Sequence, residues 1–361
     1  MKKIFTLLLI SSAFFGFAQI PTGYYNTATG TGYTLKTQLF NIINDHNDRG
    51  YAGLYVTYAT SDIDSYYENN GSMLDMYTEN PTGAECEFIY GGGLQDDGTL
   101  GNNECERYNR EHLIPQSVFG GSLGIPMYSD AHFVVPSDKY VNAQRGDLPF
   151  SKVNVANNTY SNGGKRGSNL NSGYSAGYNG TVFEPIDEFK GDIARMLLYF
   201  ATRYEDQVAS WSFTMFNGTS TQVFTNQSLN VLLTWNSQDP VSQREIDRNN
   251  AIYARQNNRN PYIDNNNYVT QVWGLPLANT TFEDLNAVVV YPNPSTDVIN
   301  IESVTTLDAI EITTINGQIL QQIKNPVMNH NTYTISNLPK GFYFLKIASG
   351  SDAVTKKVLV N

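Results

Sequence analysis

Arg107-Tyr108-Asn109-Arg110-Glu111-His112-Leu113-Ile114-Pro115 is followed by Asp130-Ala131-His132-Phe133-Val134-Val135-Pro136-Ser137, and then by Asn142 and Arg145. The fold turns on this stretch. Adjacent side chains of a strand point to opposite faces, so Glu111 and His112 serve one site only where a bend or strand end turns both towards it. Pro115 is compatible with such an end. His132–Val135 reads as a second strand, closed by Pro136-Ser137. Ser137 is a good helix N-cap, and Asp138 in the first turn suits the helix dipole. The helix then runs through Asn142 and stops near Gly146. The local order is strand, loop, strand, helix, with Glu111 and His112 on the first strand and Asn142 on the helix.

The chain has only four histidines, His46, His112, His132 and His330. Zinc enzymes want three protein ligands rich in His or Cys, and no His-x-x-x-His or His-Glu-x-x-His occurs, so zinc proteases and multi-zinc nucleases fit poorly. A Ser-His-Asp hydrolase is allowed by count, and the Gly-x-Ser-x-Gly pattern occurs at Gly120–Gly124 and Gly173–Gly177, so that class stays open as a rival. A lone histidine before two apolar residues is more often structural than catalytic, and only its neighbouring motifs single out His112. His132 reads as a brace for the site or for a backbone carbonyl. Asp130 reads as an orienting group or a turn cap.

Around this stretch, Leu35–Asp48 is helix-like, with Leu39, Ile42 and Ile43 near helical spacing. Residues 153–182 are rich in Asn, Gly and Ser and read as a long surface loop or a short disordered insert. Residues 187–207 carry a stripe of Ile193, Leu197, Leu198 and Ala201 that predicts an amphipathic helix. Another helix is expected over Ser242–Gln256, after Asp239-Pro240. Glu184, Asp187 and Asp192 are candidates for a salt-bridge network with Arg195. The Asn-rich run Arg255–Asp264 predicts hydrogen-bonded loops beneath the site, and Phe183 and Tyr199 predict core. From about Asn286 the chain changes to short alternating strands separated by turn dipeptides such as Asn316-Gly317 and Lys340-Gly341, the pattern of a small all-β sandwich.

The N-terminus, MKKIFTLLLISSAFFGFAQ, places Lys2 and Lys3 before an apolar run ending near Ala18, which reads as a signal peptide over residues 1–18. A membrane anchor is the other reading, but the run is shorter than the ~20 residues of a spanning helix. Export makes a Cys86–Cys105 disulfide the default, against free thiols or half of a metal site. The net charge of −11 argues against a polyanionic partner. Its distribution weakens the objection: residues 1–106 hold 13 acids and 4 bases, residues 107–259 hold 13 and 14, and residues 260–361 hold 8 and 5.

Four ordered segments, YNREHLIP (108–115), DAHFVVPSDKYVNAQRGDLPF (130–150), VFEPIDEFKGDIARMLLYFATRY (182–204) and RNNAIYARQNNRNPYIDNNNYVTQVWG (248–274), resemble the bacterial endonuclease I family. These are secreted or periplasmic non-specific nucleases with a ββα-metal active site. The resemblance implies that His112 is the general base and that Glu111 and Asn142 are the side-chain ligands of one divalent metal, usually Mg²⁺, with Ca²⁺ or Mn²⁺ as alternatives. Arg145, Arg110, Lys190 and Arg195 are candidate phosphate contacts. The tail, through YPNPSTD (291–297), INGQ (315–318), LPKGFYFLKI (338–347) and Lys356-Lys357-Val-Leu-Val, resembles the C-terminal sorting domain of the type IX secretion system, which implies an address rather than catalysis. A generic β-sandwich binding module is its plainer alternative.

The expectation is an α+β chain: signal peptide 1–18, nuclease domain 19–283, sorting β-sandwich 284–361. It would be secreted or held at the cell surface, with no membrane span once mature, and would cut DNA and also RNA with low sequence specificity, leaving 5′-phosphate ends. Two rivals stand beside it. One is a binding or adhesion protein that kept the fold and lost activity; the other is a hydrolase of a different class, such as a serine esterase.

Overall fold

The computed structural model describes residues 19–274, 288–303, 306–329, 331–349 and 352–361. The expected signal peptide, the 283/284 boundary and His330 lie outside the described residues. The chain divides into two compact units, Met1–Pro276 and Leu277–Asn361.

In the first unit, α1 (Gly32–Ile43) buries Leu35, Leu39 and Ile43, the spacing of one helical face, and α2 (Gly53–Ser61) follows it. Strand β1 (Tyr108–His112) pairs antiparallel with β2 (Val134–Asp138), placing Glu111 opposite Val135 and His112 opposite Val134. α3 (Lys139–Arg145) leaves β2 directly. The strand runs further than its composition suggests. Asp138, not Ser137, caps α3, accepting from the Val141 N–H at 2.9 Å, and the Asp138 N–H donates to Asp75 at 2.7 Å. Ser137 is held in the ladder opposite Asn109 and is not free to cap. Gly146 ends the helix at φ +51°, a conformation that glycine adopts without penalty.

Residues 153–182 correct the loop expectation. About half of them form β3 (Val153–Thr159), β4 (Lys165–Asn169) and the start of β5 (Thr181–Glu184), a three-stranded antiparallel sheet. β3 is exposed at most of its positions, so it shows no apolar alternation, and backbone pairing rather than burial defines it.

Helix α4 (Lys190–Arg203) is buried along its whole length. It packs on α5 (Asn226–Gln238) and lies beside α6 (Gln243–Gln256). Ser242 and Glu245 close a capping box at the start of α6. Glu245 also receives Arg195 through both oxygens, at 2.6 and 2.8 Å. The same helix sends Arg244 to Asp192 and Arg248 to Asp62 and the Ala131 carbonyl. The expected network of Glu184, Asp187 and Asp192 with Arg195 is therefore replaced: Arg195 pairs with Glu245, Asp192 with Arg244, and Glu184 and Asp187 with Lys190. The Asn-rich run after α6 does build hydrogen-bonded structure. Asn258, Arg259 and Asn260 are buried and bonded before α7 (Pro261–Asp264) and α8 (Asn267–Trp273). Phe183 and Tyr199 are core residues.

The second unit is all-β. It comprises β6 (Val289–Tyr291), β7 (Val298–Glu302), β8 (Ala309–Thr314), β9 (Ile319–Lys324), β10 (Thr332–Ser336), β11 (Gly341–Ser349) and β12 (Asp352–Val360). Sheets of order β10-β7-β6 and β12-β11-β8-β9 enclose Ile299, Ile301 and Ile335 from one side and Ile310, Ile312, Leu345 and Ile347 from the other, a sandwich. Among the described residues no helix is long and apolar enough to cross a membrane.

Cys86 and Cys105 form a disulfide across 19 residues. Closing a loop of that size stabilises by about 3 kcal/mol. Replacing both cysteines with serine should lower the unfolding free energy by about that amount in chemical denaturation, whereas an unchanged midpoint would show that the loop is already ordered without its bridge.

Candidate active site

The site is built where β1 ends against α3. Glu111, His112 and Arg145 are all buried, and Asn142 is partly exposed. Both hydrogen bonds to the Glu111 carboxylate fall on Oε1, from the Tyr77 hydroxyl at 2.8 Å and Arg145 Nη1 at 2.9 Å. Arg145 also donates to the carbonyls of His112 at 2.9 Å and Leu113 at 2.5 Å. One guanidinium thus fixes the carboxylate and the strand end beyond it. Burial raises the Glu111 carboxyl above its ordinary value, and the Arg145 charge and the Tyr77 bond act against that rise.

Asn142 donates from Nδ2 to Asn109 Oδ1 at 2.8 Å and to the Arg110 carbonyl at 3.3 Å. Its Oδ1 is left as an uncommitted hard donor, as is Glu111 Oε2. Oxygens of this type suit a magnesium-sized cation that keeps most of its waters.

His112 stacks on Tyr128, with rings 5.3 Å apart and 19° from parallel, and its Nε2 lies 3.1 Å from the Tyr128 carbonyl. A carbonyl only accepts, so Nε2 carries the proton and the neutral ring presents Nδ1 as its lone pair. Burial drives the imidazole pKa down to about 4, with the Tyr128 bond opposing and the charges of Arg110 and Arg145 assisting. At neutral pH the ring is a free base. The Arg110 guanidinium lies over Tyr51, 3.4 Å from the ring centre, and bonds the Tyr51 carbonyl through Nη1. The ring of Tyr51 in turn stacks on Tyr128 at 4.1 Å.

Arg145 thus joins the Glu111 carboxylate to the His112 carbonyl, and Asn142 meets the same strand at Asn109 and Arg110. Three of the candidate phosphate contacts are corrected. Arg145 has no exposed side-chain surface and positions Glu111. Arg195 is equally buried in its bidentate pair with Glu245. The Lys190 ammonium is held between Glu184 at 2.6 Å and Asp187 at 2.5 Å. Sequence reasoning missed Tyr77, Tyr51 and Tyr128 and gave Asn109 no role. Asn109 sits inside the motif and was open to discovery there; the tyrosines lie outside it and carry no local signal.

Behind the site, Asp130 accepts from Tyr199 at 2.9 Å, Tyr204 at 2.8 Å, Gln256 at 2.9 Å and the His132 N–H at 3.0 Å. His132 Nε2 meets the Asn258 carbonyl at 3.1 Å, the bracing role expected for it.

A strand pair and helix presenting a carboxylate, an imidazole and a carboxamide at one end, joined to a separate β-sandwich, define a ββα nuclease with an appended module. The chain belongs to the Endonuclease I family, which matches residues 31–267, and residues 289–361 match the Secretion system C-terminal sorting domain. It is similar to the extracellular ribonuclease of Bacillus subtilis (strain 168), 34% identical over 256 residues covering 69% of this chain and 78% of that protein. The extracellular ribonuclease of Bacillus amyloliquefaciens is 33% identical over the same shares. The protein is an exported endonuclease, a hydrolase of phosphodiester bonds in nucleic acid. Nucleases of this family are generally dependent on a divalent metal.

Two outcomes follow for the buried charges. Arg195→Met leaves Glu245 buried without its partner and should destabilise by about 3–5 kcal/mol, while the folded enzyme keeps its specific activity. Burial lowers the His132 pKa to about 4, with the Asp130 charge and the Asn258 carbonyl opposing. Between there and the ordinary value near 6.5 the unfolded chain binds a proton that the folded chain does not. The stabilisation is complete above pH ~6.5 and declines as pH falls towards 4, so melting temperature should drop more steeply over that range in the wild type than in His132→Gln. Parallel profiles would show that His132 is not the titrating group.

Proposed function

We propose that the protein cleaves DNA and also RNA by metal-assisted hydrolysis, with low sequence preference, leaving 5′-phosphate ends. The observation that carries this reading is the His112 imidazole: it stacks on Tyr128 and its Nε2–H is engaged by the Tyr128 carbonyl, so the neutral ring keeps Nδ1 as its lone pair. Its Nδ1 takes a proton from the water that attacks phosphorus, while the Tyr128 carbonyl holds the developing imidazolium in place. Glu111 Oε2 and Asn142 Oδ1 would hold one divalent cation, Mg²⁺ in this reading, with Ca²⁺ or Mn²⁺ as substitutes. When bound, it would neutralise charge on the phosphate and favour departure of the 3′ oxygen. Arg145 keeps Glu111 oriented, and Asn109 does the same for Asn142. Arg110, with only Nη1 bonded and its guanidinium over Tyr51, is the basic side chain best placed to meet a phosphate.

Nothing in this chemistry uses the ribose 2′ hydroxyl, which is why both nucleic acids are included; the similarity to extracellular ribonucleases supports the RNA half. Contacts to the backbone rather than to bases would make cleavage insensitive to sequence and sensitive to salt. The sorting domain would hand the protein to the type IX secretion machinery, and the N-terminal segment would act as the signal peptide.

The test is digestion of plasmid and of a defined RNA with Mg²⁺, with EDTA, and with His112→Ala. Cleavage should need the metal, fall by about 10²–10⁴-fold in the variant, and yield 5′-phosphate and 3′-hydroxyl ends on both substrates. Terminal 2′,3′-cyclic phosphates on the RNA would overturn direct hydrolysis. A folded wild type that cuts neither substrate would favour the inactive binding-protein reading.

A further inference from the structure

A second acidic cluster lies in the segment ahead of β1 and shares no residue with the site above. One carboxylate oxygen each from Asp64, Glu68 and Glu79 lies within 4.8 Å of the others. Asp64 is fully buried and Glu79 is 1% exposed. Asp64 is used in both directions: Oδ1 accepts the N–H groups of Tyr66 at 3.1 Å and Tyr67 at 3.0 Å, and Oδ2 that of Asn69 at 2.8 Å. These bonds wrap residues 64–69 around the carboxylate. Glu79 is different. Both of its oxygens are buried and neither meets a donor, and Oε1 of neighbouring Glu85 shares that condition. A buried carboxylate without a partner is among the most unfavourable groups a fold can hold. No lysine or arginine among the described residues forms an ion pair with Asp64, Glu68, Glu79 or Glu85.

Two things could satisfy Glu79: a proton shared with Glu85, or a cation. Burial first, then the bond to Glu85 and the charges of Glu85, Glu68 and Asp64, push the Glu79 carboxyl up to about 9, which measures how strongly the cluster demands positive charge. A lone proton answers only part of that demand, since Asp64 and Glu68 remain beside it. Three convergent carboxylates, with Glu85 adjoining, form an all-oxygen, charge-rich set of the kind calcium takes. Magnesium prefers fewer protein ligands and regular octahedral geometry.

We propose that Asp64, Glu68 and Glu79, with Glu85 beside them, form a structural Ca²⁺ site. The ion would tie the turn at residues 64–69 to the segment 79–85, immediately before Cys86. Two residues ahead of Glu79, Tyr77 reaches the Glu111 carboxylate, so the clamp would steady a strut of the active site while taking no part in its chemistry.

The experiment is thermal melting of the mature, full chain in EGTA and in CaCl₂, with Mg²⁺ held constant. Wild type, Glu79→Gln and Glu111→Gln are compared. At calcium on the order of 100 times Kd, Tm should rise by roughly 5–10 °C in the wild type. The rise should vanish in Glu79→Gln and persist in Glu111→Gln, which lacks only the proposed catalytic ligand. A wild type indifferent to calcium would overturn the site and leave the shared proton as the answer. A rise that survives Glu79→Gln, or that disappears with Glu111→Gln, would overturn it by placing the ion elsewhere. Should Glu79→Gln not fold, Glu68→Gln alters an exposed side chain and reads the same quantity by calorimetric titration with CaCl₂. A loss of about tenfold or more in affinity is expected, and an unchanged Kd would remove Glu68 and with it the cluster.

Discussion

One buried carboxylate, Asp130, organises the nuclease unit. It accepts from two tyrosines of the α4 segment, from Gln256 at the end of α6, and from the His132 N–H two residues before β2. Burial alone would force a proton onto it. The charges that His46 and His132 take up once protonated at low pH, with the Gln256 bond and the Arg203 charge, outweigh burial and hold its pKa below the ordinary carboxylate range. It therefore stays an acceptor on every side. Because β2 starts from this point, and β1 takes its register from β2, the position of Glu111 and His112 is inherited from contacts on the far side of the sheet. A buried polar network of this kind fixes one arrangement among many, since each alternative strands a charged or polar group.

The arginines divide along the same line. Arg145, Arg195, Arg244 and Arg248 are almost wholly buried, each facing a carboxylate. They are internal struts, and with Lys190, Arg203 and Arg259 they turn half of the basic residues of 107–259 inward, away from any polyanion. Arg110 stands apart, stacked on an aromatic ring at the site's edge.

What the sequence disclosed followed from local rules. Helix α4 was legible because Ile193, Leu197, Leu198 and Ala201 repeat at helical spacing, and α6 from the Asp239-Pro240 step before Ser242. The order of β1, β2 and α3 was legible from the Glu-His pair, the Pro-Ser step and Gly146. The sandwich was legible from alternation. Four things were not. The cap fell to Asp138 because Asp75, far away in the chain, takes its N–H. The sheet of β3 to β5 was hidden because its exposed strands carry no apolar pattern. Lys190 and Arg195 were misassigned because a basic residue on an amphipathic stripe does not announce which way it points. Tyr77 was invisible for a related reason: its hydroxyl meets a carboxylate 34 residues away.

The disulfide adds something that hydrogen bonds cannot. Between Cys86 and Cys105 the chain passes through an exposed, glycine-rich arc in which Ile89, Tyr90 and Leu100 face outward. Cys105 in turn donates its N–H to Asp138, the residue that starts α3. A peptidase that cuts this arc severs the backbone but not the molecule, because the two halves remain one covalent body. For a protein that works outside the cell among hydrolases, its most accessible loop is thereby made expendable, and a nick there changes the number of chain ends without releasing the catalytic strand.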